Sequence, residues 1–115
     1  PITAQMCASH YALPRWQQKD IAVCELMYRR FLTLLIKYPK EHLVPSKIID
    51  EVWHAHILHT EKYHDDCMAI AGYYIHHLPA DAAETKTEAL EIGFQKTCDL
   101  YEKEFGEPLQ VFIDK

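Results

Sequence analysis

The residues from Asp50 to Cys67 read DEVWHAHILHTEKYHDDC, and they place polar side chains where a packed helix needs apolar ones. Alternate steps of four and three residues from Ile49 define one helix face, which contains Trp53, His56, Thr60, Tyr63, Cys67 and Ile70. Imidazole, hydroxyl, phenol and thiol groups cost free energy when buried together unless each has a partner. The segment therefore predicts a hydrogen-bond network, a metal site or a pocket within a helix.

Three segments of the chain have helical periodicity and recognisable ends. The first, at residues 16–37, has an apolar stripe at 3-4 spacing and stops before Pro39. The second, at 47–71, follows Ser46 as N-cap and ends before Gly72. The third, at 82–105, follows a capping box that starts at Asp81, and it ends before Gly106.

These segments predict an all-α fold, an antiparallel bundle of three main helices with an extended N-terminal arm. The arm corresponds to residues 1–14, which show no periodicity. We expect residues 1–115 to form a single helical domain, because a chain of this length buries enough surface to fold without disulfides or metals.

The composition argues against several classes of partner. The apolar fraction of 49% is that of an ordinary globular protein, and the longest apolar run, FLTLLI, is too short to cross a membrane. A net charge of −5 with scattered lysines and arginines makes nucleic acid an unlikely partner. The four cysteines form no CxxC pair and fit a reducing compartment, so we expect a cytoplasmic location.

One candidate centre lies in the first half of the polar segment. Asp50 and His54 are one helical turn apart, so the carboxylate can bind one imidazole nitrogen and leave the other free for a proton or a metal. His56 points about 200° away from His54 and cannot chelate the same ion. Alternatively, Asp50 favours the helix dipole and His54 bonds to another helix.

A second candidate centre lies near the predicted turn at Gly72. His64 and Cys67 are three residues apart, and the turn returns His76 and His77 towards them, which is a ligand set for tetrahedral zinc. The alternative is that Cys67 is a core residue and one histidine caps the helix. His56 is about 16 Å from Cys67 along a straight helix, so these two side chains cannot share an ion.

Two other patterns in the segment carry less weight. Asp65 and Asp66 resemble a carboxylate pair, but neighbours on a helix point about 100° apart, so a solvated face is expected. Cys67 could use His64 as a base, but no oxyanion hole or third group is visible. No catalytic residue is therefore assigned, and whether the protein is an enzyme stays open.

The run from Pro45 to Cys67 resembles the signature of the glycine-rich domain-containing protein-like family. Residues 28–32, which read YRRFL, fit the same family. The resemblance extends over nearly the whole chain through matches at Gly72, His77, Pro79, Thr97, Leu100, Tyr101 and the Phe105-Gly106-Glu107 turn. The resemblance places seven residues in the family motif: Asp50, Trp53, His54, His56, Tyr63, Cys67 and His77.

The family is a domain of unknown function, so the resemblance implies no mechanism. Similar plant modules sit in longer proteins with glycine-rich tails that are linked to stress and developmental responses. With only three glycines, this chain is expected to be a compact stand-alone member without the tail. We therefore do not expect this chain to share a function that depends on the tail, such as RNA association.

Two hypotheses follow from the sequence. In the first, the domain binds zinc, iron or copper through His54, His56, Cys67 or His77, not all at one site, with support from Asp50, Trp53, Thr60 and Tyr63. In the second, the domain is a non-enzymatic module that binds a protein partner, and the motif is a buried structural network. The metal hypothesis requires at least two of the candidate ligands to converge within about 4 Å on an open position.

Overall fold

The computed structural model describes residues 18–77 and 87–110. Within these ranges it contains four helices, α1 (Gln18–Lys37), α2 (Lys47–Leu58), α3 (Thr60–Ile70) and α4 (Thr87–Phe105). Helix α1 packs against α2 and α4, and α3 packs against α2. Neither range contains a strand, and no helix in them is long and apolar enough to cross a membrane. The all-α bundle predicted from the sequence is confirmed, with α2 and α3 in place of its second helix.

Several predictions concern residues outside the described ranges. They are the arm at 1–14, the capping box at 81–84 and the first residues of the predicted helices, at 16–17 and 82–86. The assignment of residues 1–115 to a single domain likewise stays a prediction.

The core lies where one face of α1 meets α2. The 3-4 spacing of α1 is confirmed at Ile21, Cys24, Tyr28 and Phe31, which are all buried. Helix α4 adds the buried Thr97 and Tyr101. The apolar residues of this face are less buried towards the end of α1, where Leu35 and the following Tyr38 are only partly buried.

Arg30 joins α1 to the end of α4. Its guanidinium donates to the Tyr101 hydroxyl at 3.1 Å and to the Glu107 carboxylate at 2.7 Å, and it lies 5.0 Å from the centre of the Phe105 ring. Two distant parts of the family resemblance, YRRFL and the Phe105-Gly106-Glu107 turn, therefore meet at one contact.

The predicted helix ends are present where the structure describes them. The Ser46 hydroxyl accepts a hydrogen bond from the Ile49 amide at 3.3 Å and caps α2. Gly72, just after α3, has φ of 82°, and its amide bonds to carbonyls in the last turn of α3. Only glycine adopts this left-handed conformation without steric cost, which is why α3 ends there.

The prediction of one continuous helix over 47–71 was wrong, because the chain bends at His59. This residue has φ of −88° and ψ of 76°, outside the helical region, and its amide bonds to the carbonyl of His56 three residues back. Neither proline nor glycine marks the position. The bend is stabilised by tertiary contacts between α2 and α3, which the helical periodicity does not encode.

The bend brings together side chains ten residues apart. Trp53 lies 3.0 Å from Tyr63, and His56 lies 2.8 Å from Asp66, as measured between their hydrogen-bonding atoms. On a straight helix each pair would be about 15 Å apart along the axis. The bend also leaves Thr60 and Ile70 exposed, so these two members of the predicted face are not part of the core.

Replacing Gly93 with alanine is expected to lower the free energy of unfolding by about 1–2 kcal/mol, because an added Cβ would lie 2.5 Å from Val44 Cγ2. The better helix propensity of alanine offsets about 1 kcal/mol of this clash. Urea denaturation measures the change, with the exposed Glu91→Ala substitution in the same helix as control. A Gly93→Ala protein as stable as the unchanged chain would contradict the prediction.

Candidate metal site

Asp50, His54 and His77 converge at one side of α2. One ligand atom from each side chain lies within 4.8 Å of the other two. Nε2 of His77 is 2.6 Å from Oδ1 of Asp50, and Nε2 of His54 is 3.7 Å from the same oxygen. Among the residues described at 18–77 and 87–110, this is the only group of three or more His, Cys, Asp and Glu side chains with such spacing. An ion could reach it, because the His54 side chain is 49% exposed and that of Asp50 is 35% exposed.

Two local features produce this convergence. Asp50 and His54 are one turn apart on α2, so their side chains lie on the same face. His77 returns to this face after the turn at Gly72, and its ring stacks on Trp53 with centroids 4.1 Å apart and planes 6° apart. The His54 ring lies 4.8 Å from that of His77.

Asp50 supplies the negative charge of the cluster. Burial raises the pKa of its carboxyl, but the hydrogen bond from His77 and the nearby His54 outweigh this effect, so the pKa lies below its ordinary value. The carboxylate is therefore ionised at neutral pH, and Nε2 of His77 donates its proton to it. Two imidazoles and one negative carboxylate make a suitable ligand set for a divalent cation.

Beneath the cluster lies a hydrogen-bond chain through two aromatic residues. Nε1 of Trp53 donates to the Tyr63 hydroxyl at 3.0 Å, and this hydroxyl donates to the backbone carbonyl of Ile75. All three residues are buried. The chain connects α2, α3 and the loop that carries His77.

A second buried chain runs through His56. Its Nδ1 is 2.7 Å from the Tyr28 hydroxyl, and its Nε2 is 2.8 Å from the Asp66 carboxylate, which also bonds to Lys62 at 3.1 Å. An ionised Asp66 accepts the Nε2 proton, which leaves Nδ1 to accept from Tyr28. Both imidazole nitrogens of His56 are occupied by these bonds and are not available to a metal ion.

Burial determines how these groups titrate. Desolvation has the largest effect on the pKa of His56, which lies below its ordinary value despite the bond to Asp66, so the imidazole is neutral at pH 7. Burial also raises the pKa of the Tyr28 hydroxyl far above its ordinary value. For Asp66, burial raises the pKa of the carboxyl, but the bonds from His56 and Lys62 are among the interactions that lower it, and the pKa lies below its ordinary range.

The lowered pKa of His56 predicts that stability falls in mild acid. The unfolded chain binds a proton at this histidine below about pH 6.5 and the folded chain does not, so the unfolding free energy falls by up to about 1.4 kcal/mol per pH unit. Asp66 adds a further loss below about pH 4, because its folded pKa is also lowered. Urea denaturation between pH 7.5 and 5 measures the first fall. The slope should decrease in a His56→Gln protein, and an unchanged slope would contradict the assignment to His56.

The structure separates the predicted metal ligands. His54 and His77 come together with Asp50, whereas His56 lies in the buried chain and Cys67 lies in the core. The zinc centre drawn around His64 and Cys67 does not form among the described residues, because His64 is on the surface and Cys67 is buried. Of the six histidines at residues 54–77, His54, His64 and His76 are exposed and only His56 is fully buried.

Sequence reasoning missed two members of the buried chain. Asp66 was expected on a solvated face, but its side chain is only 12% exposed because the bend at His59 turns it towards His56. Tyr28 was predicted as a core residue of α1, but the bond of its hydroxyl to His56, 28 residues away, was not predicted.

Comparison with known proteins assigns the chain to a family. The model of the UCP032817-like family matches residues 3–105. The chain belongs to this family. The family segment contains Asp50, His54 and His77 together with their aromatic support.

Two curated relatives come from Arabidopsis thaliana. The chain is 32% identical to glycine-rich domain-containing protein 1 and 34% identical to glycine-rich domain-containing protein 2, each over 111 residues and 92% of this chain. It spans only 13% and 14% of their respective lengths. No solved structure matches the chain.

Proposed function

We propose that the domain binds one divalent transition-metal ion through Asp50, His54 and His77. The observation that supports the proposal most directly is the approach of three ligand atoms to within 4.8 Å of one another. Two imidazoles and a carboxylate occur as ligands of zinc and of non-haem iron, and imidazole also suits copper. The ion would therefore be zinc, iron or copper.

Binding requires only small movements. Ligand atoms about 2.0–2.1 Å from a tetrahedral ion lie about 3.3 Å apart. Nε2 of His54 would move slightly towards Asp50 from 3.7 Å, and Nε2 of His77 would move away from 2.6 Å. The His77 proton would pass from Nε2 to Nδ1, because a nitrogen that binds a metal cannot also carry a proton.

Metal titration of protein purified without a histidine tag tests the proposal. We expect about one equivalent of zinc or ferrous ion to remain bound after gel filtration, with stabilisation of about 2.7 kcal/mol when free metal is a hundredfold above Kd. Asp50→Asn and His77→Gln should each abolish the stabilisation. His64→Gln is the matched control, because His64 is exposed and lies outside the cluster.

Two results would contradict the proposal. One is unchanged thermal stability of the unaltered protein with zinc, iron and copper. The other is equal metal binding by the Asp50→Asn and unaltered proteins, which would place the ion elsewhere.

The rival candidate is a non-enzymatic module that binds a protein partner. It is supported by the exposed apolar side chains around the end of α3, namely Met68, Ile70, Tyr73 and Tyr74. In this case the motif has a structural role, and charged substitutions at Ile70 and Tyr73 would abolish partner binding while leaving the fold intact. We also propose a cytoplasmic location, because the spacing of the four cysteines in the sequence fits a reducing compartment.

A further inference from the structure

His77 differs from the other two proposed ligands because it lies in a loop. Asp50 and His54 are held by the hydrogen bonds of α2, whereas residues 71–77 follow α3 without regular secondary structure. A ligand on an unrestrained loop must be ordered when the metal binds, and this lowers affinity. Besides the hydrogen bond of His77 to Asp50, two groups outside the proposed ligand set order His77 in the absence of metal.

The first group is the indole of Trp53. Its face lies parallel to the His77 ring, with planes 6° apart, so it sets the plane in which the imidazole nitrogens lie. Trp53 lies on α2 between Asp50 and His54 in sequence, so one helix turn supplies two ligands and the surface that holds the third. The indole is itself fixed, since it is 4% exposed and meets the Phe31 ring at a centroid distance of 5.5 Å.

The second group is the hydroxyl of Tyr63. It accepts the indole proton of Trp53 and donates its own proton to the carbonyl of Ile75, two residues before His77. A hydroxyl has a single proton to donate, and the Tyr63 hydroxyl donates it to the loop that carries His77. Tyr63 is 1% exposed, so water does not compete for these bonds.

We infer that Trp53 and Tyr63 are positioning residues that hold His77 in its metal-binding orientation before an ion arrives. The inference rests on the proposed metal site, and it gives a function to the tryptophan and tyrosine of the motif. Groups that orient metal ligands typically change metal affinity by about 10–100-fold when they are removed. The site is therefore preorganised by a hydrogen-bond chain that touches no metal.

Tyr63→Phe tests the inference, with Tyr28→Phe as the matched control. Both substitutions remove a buried hydroxyl and keep the ring, but the Tyr28 hydroxyl bonds to His56 and not to the loop. We expect Tyr63→Phe to weaken zinc binding by about tenfold or more and Tyr28→Phe to change it by less than about twofold. Trp53→Phe is the second test variant, because it loses the indole proton and should also weaken zinc binding.

NMR of the metal-free protein provides a readout that a general loss of stability would not change. Because the two rings are stacked, we expect the ring current of the Trp53 indole to shift the ring protons of His77 upfield. In Tyr63→Phe this shift should decrease although Trp53 is still present, and in Tyr28→Phe it should be unchanged.

The two readouts separate failure of the inference from failure of the metal site. An unchanged His77 shift in Tyr63→Phe, or zinc affinity equal to that of the unaltered protein in both Tyr63→Phe and Trp53→Phe, would overturn the positioning role. Absence of zinc, iron and copper binding by the unaltered protein would overturn the proposed function, while the His77 shift would still test whether Tyr63 holds the loop.

Discussion

Replacing His56 with alanine is expected to lower the free energy of unfolding by about 3–5 kcal/mol, the largest loss that we predict for any residue of the motif. His56 is 2% exposed and is the common partner of the Tyr28 hydroxyl and the Asp66 carboxylate. Its removal leaves a hydroxyl and a largely buried charge without this partner, and it leaves a cavity between α1, α2 and α3. Denaturation by urea at pH 7 measures the loss.

His64→Ala is the control for this substitution. His64 lies on α3 with its side chain 60% exposed, and we expect a change within about 0.5 kcal/mol. If His56→Ala were tolerated as well as His64→Ala, the buried chain through His56 would contribute no net stability.

Replacing Phe31 with alanine is expected to destabilise the bundle by a similar amount, about 3–5 kcal/mol. Phe31 is completely buried, and its ring meets Trp53 at an interplanar angle of 66°. The substitution removes apolar contacts between α1 and α2 and leaves a cavity that the surrounding side chains cannot fill. Because Phe31 contacts Trp53, the loss should also loosen the surface on which His77 stacks.

Leu26→Ala provides the matched control on the same helix. Leu26 is 45% exposed, so the same kind of truncation should cost less than about 1 kcal/mol. Equal losses at Leu26 and Phe31 would show that α1 is not oriented as the structure describes.

The helical segments were predictable because local chemistry determines them. Ile21, Cys24, Tyr28 and Phe31 repeat at the helical period and are all buried. Ser46 and Gly72 mark helix ends by backbone chemistry that does not depend on the rest of the fold. For the same reason the sequence correctly placed Asp50 and His54 on one face of α2.

The bend at His59 was not predictable, because no residue at the position disfavours a helix. The bend costs helical conformation at His59, and the contacts of Trp53 with Tyr63 and of His56 with Asp66 compensate for this cost. Each contact joins residues that a straight helix keeps about 15 Å apart, so periodicity argued against them. This is why Asp66 was assigned to the surface and Thr60 to the motif's packed face.

By itself, the sequence determined that this protein is helical, that helical segments begin after Ser46 and end before Gly72, and that Asp50 and His54 share a helix face, since propensity, capping and helical period are local properties. Only the tertiary structure decided which of these groups meet. It directed His56 into a buried chain, placed His77 on Trp53 beside Asp50 and left Cys67 in the core. The physical reason is that these contacts depend on the bend at His59 and on the loop that carries His77. Both are stabilised by residues far away in the sequence, and helical periodicity does not predict contacts between such residues.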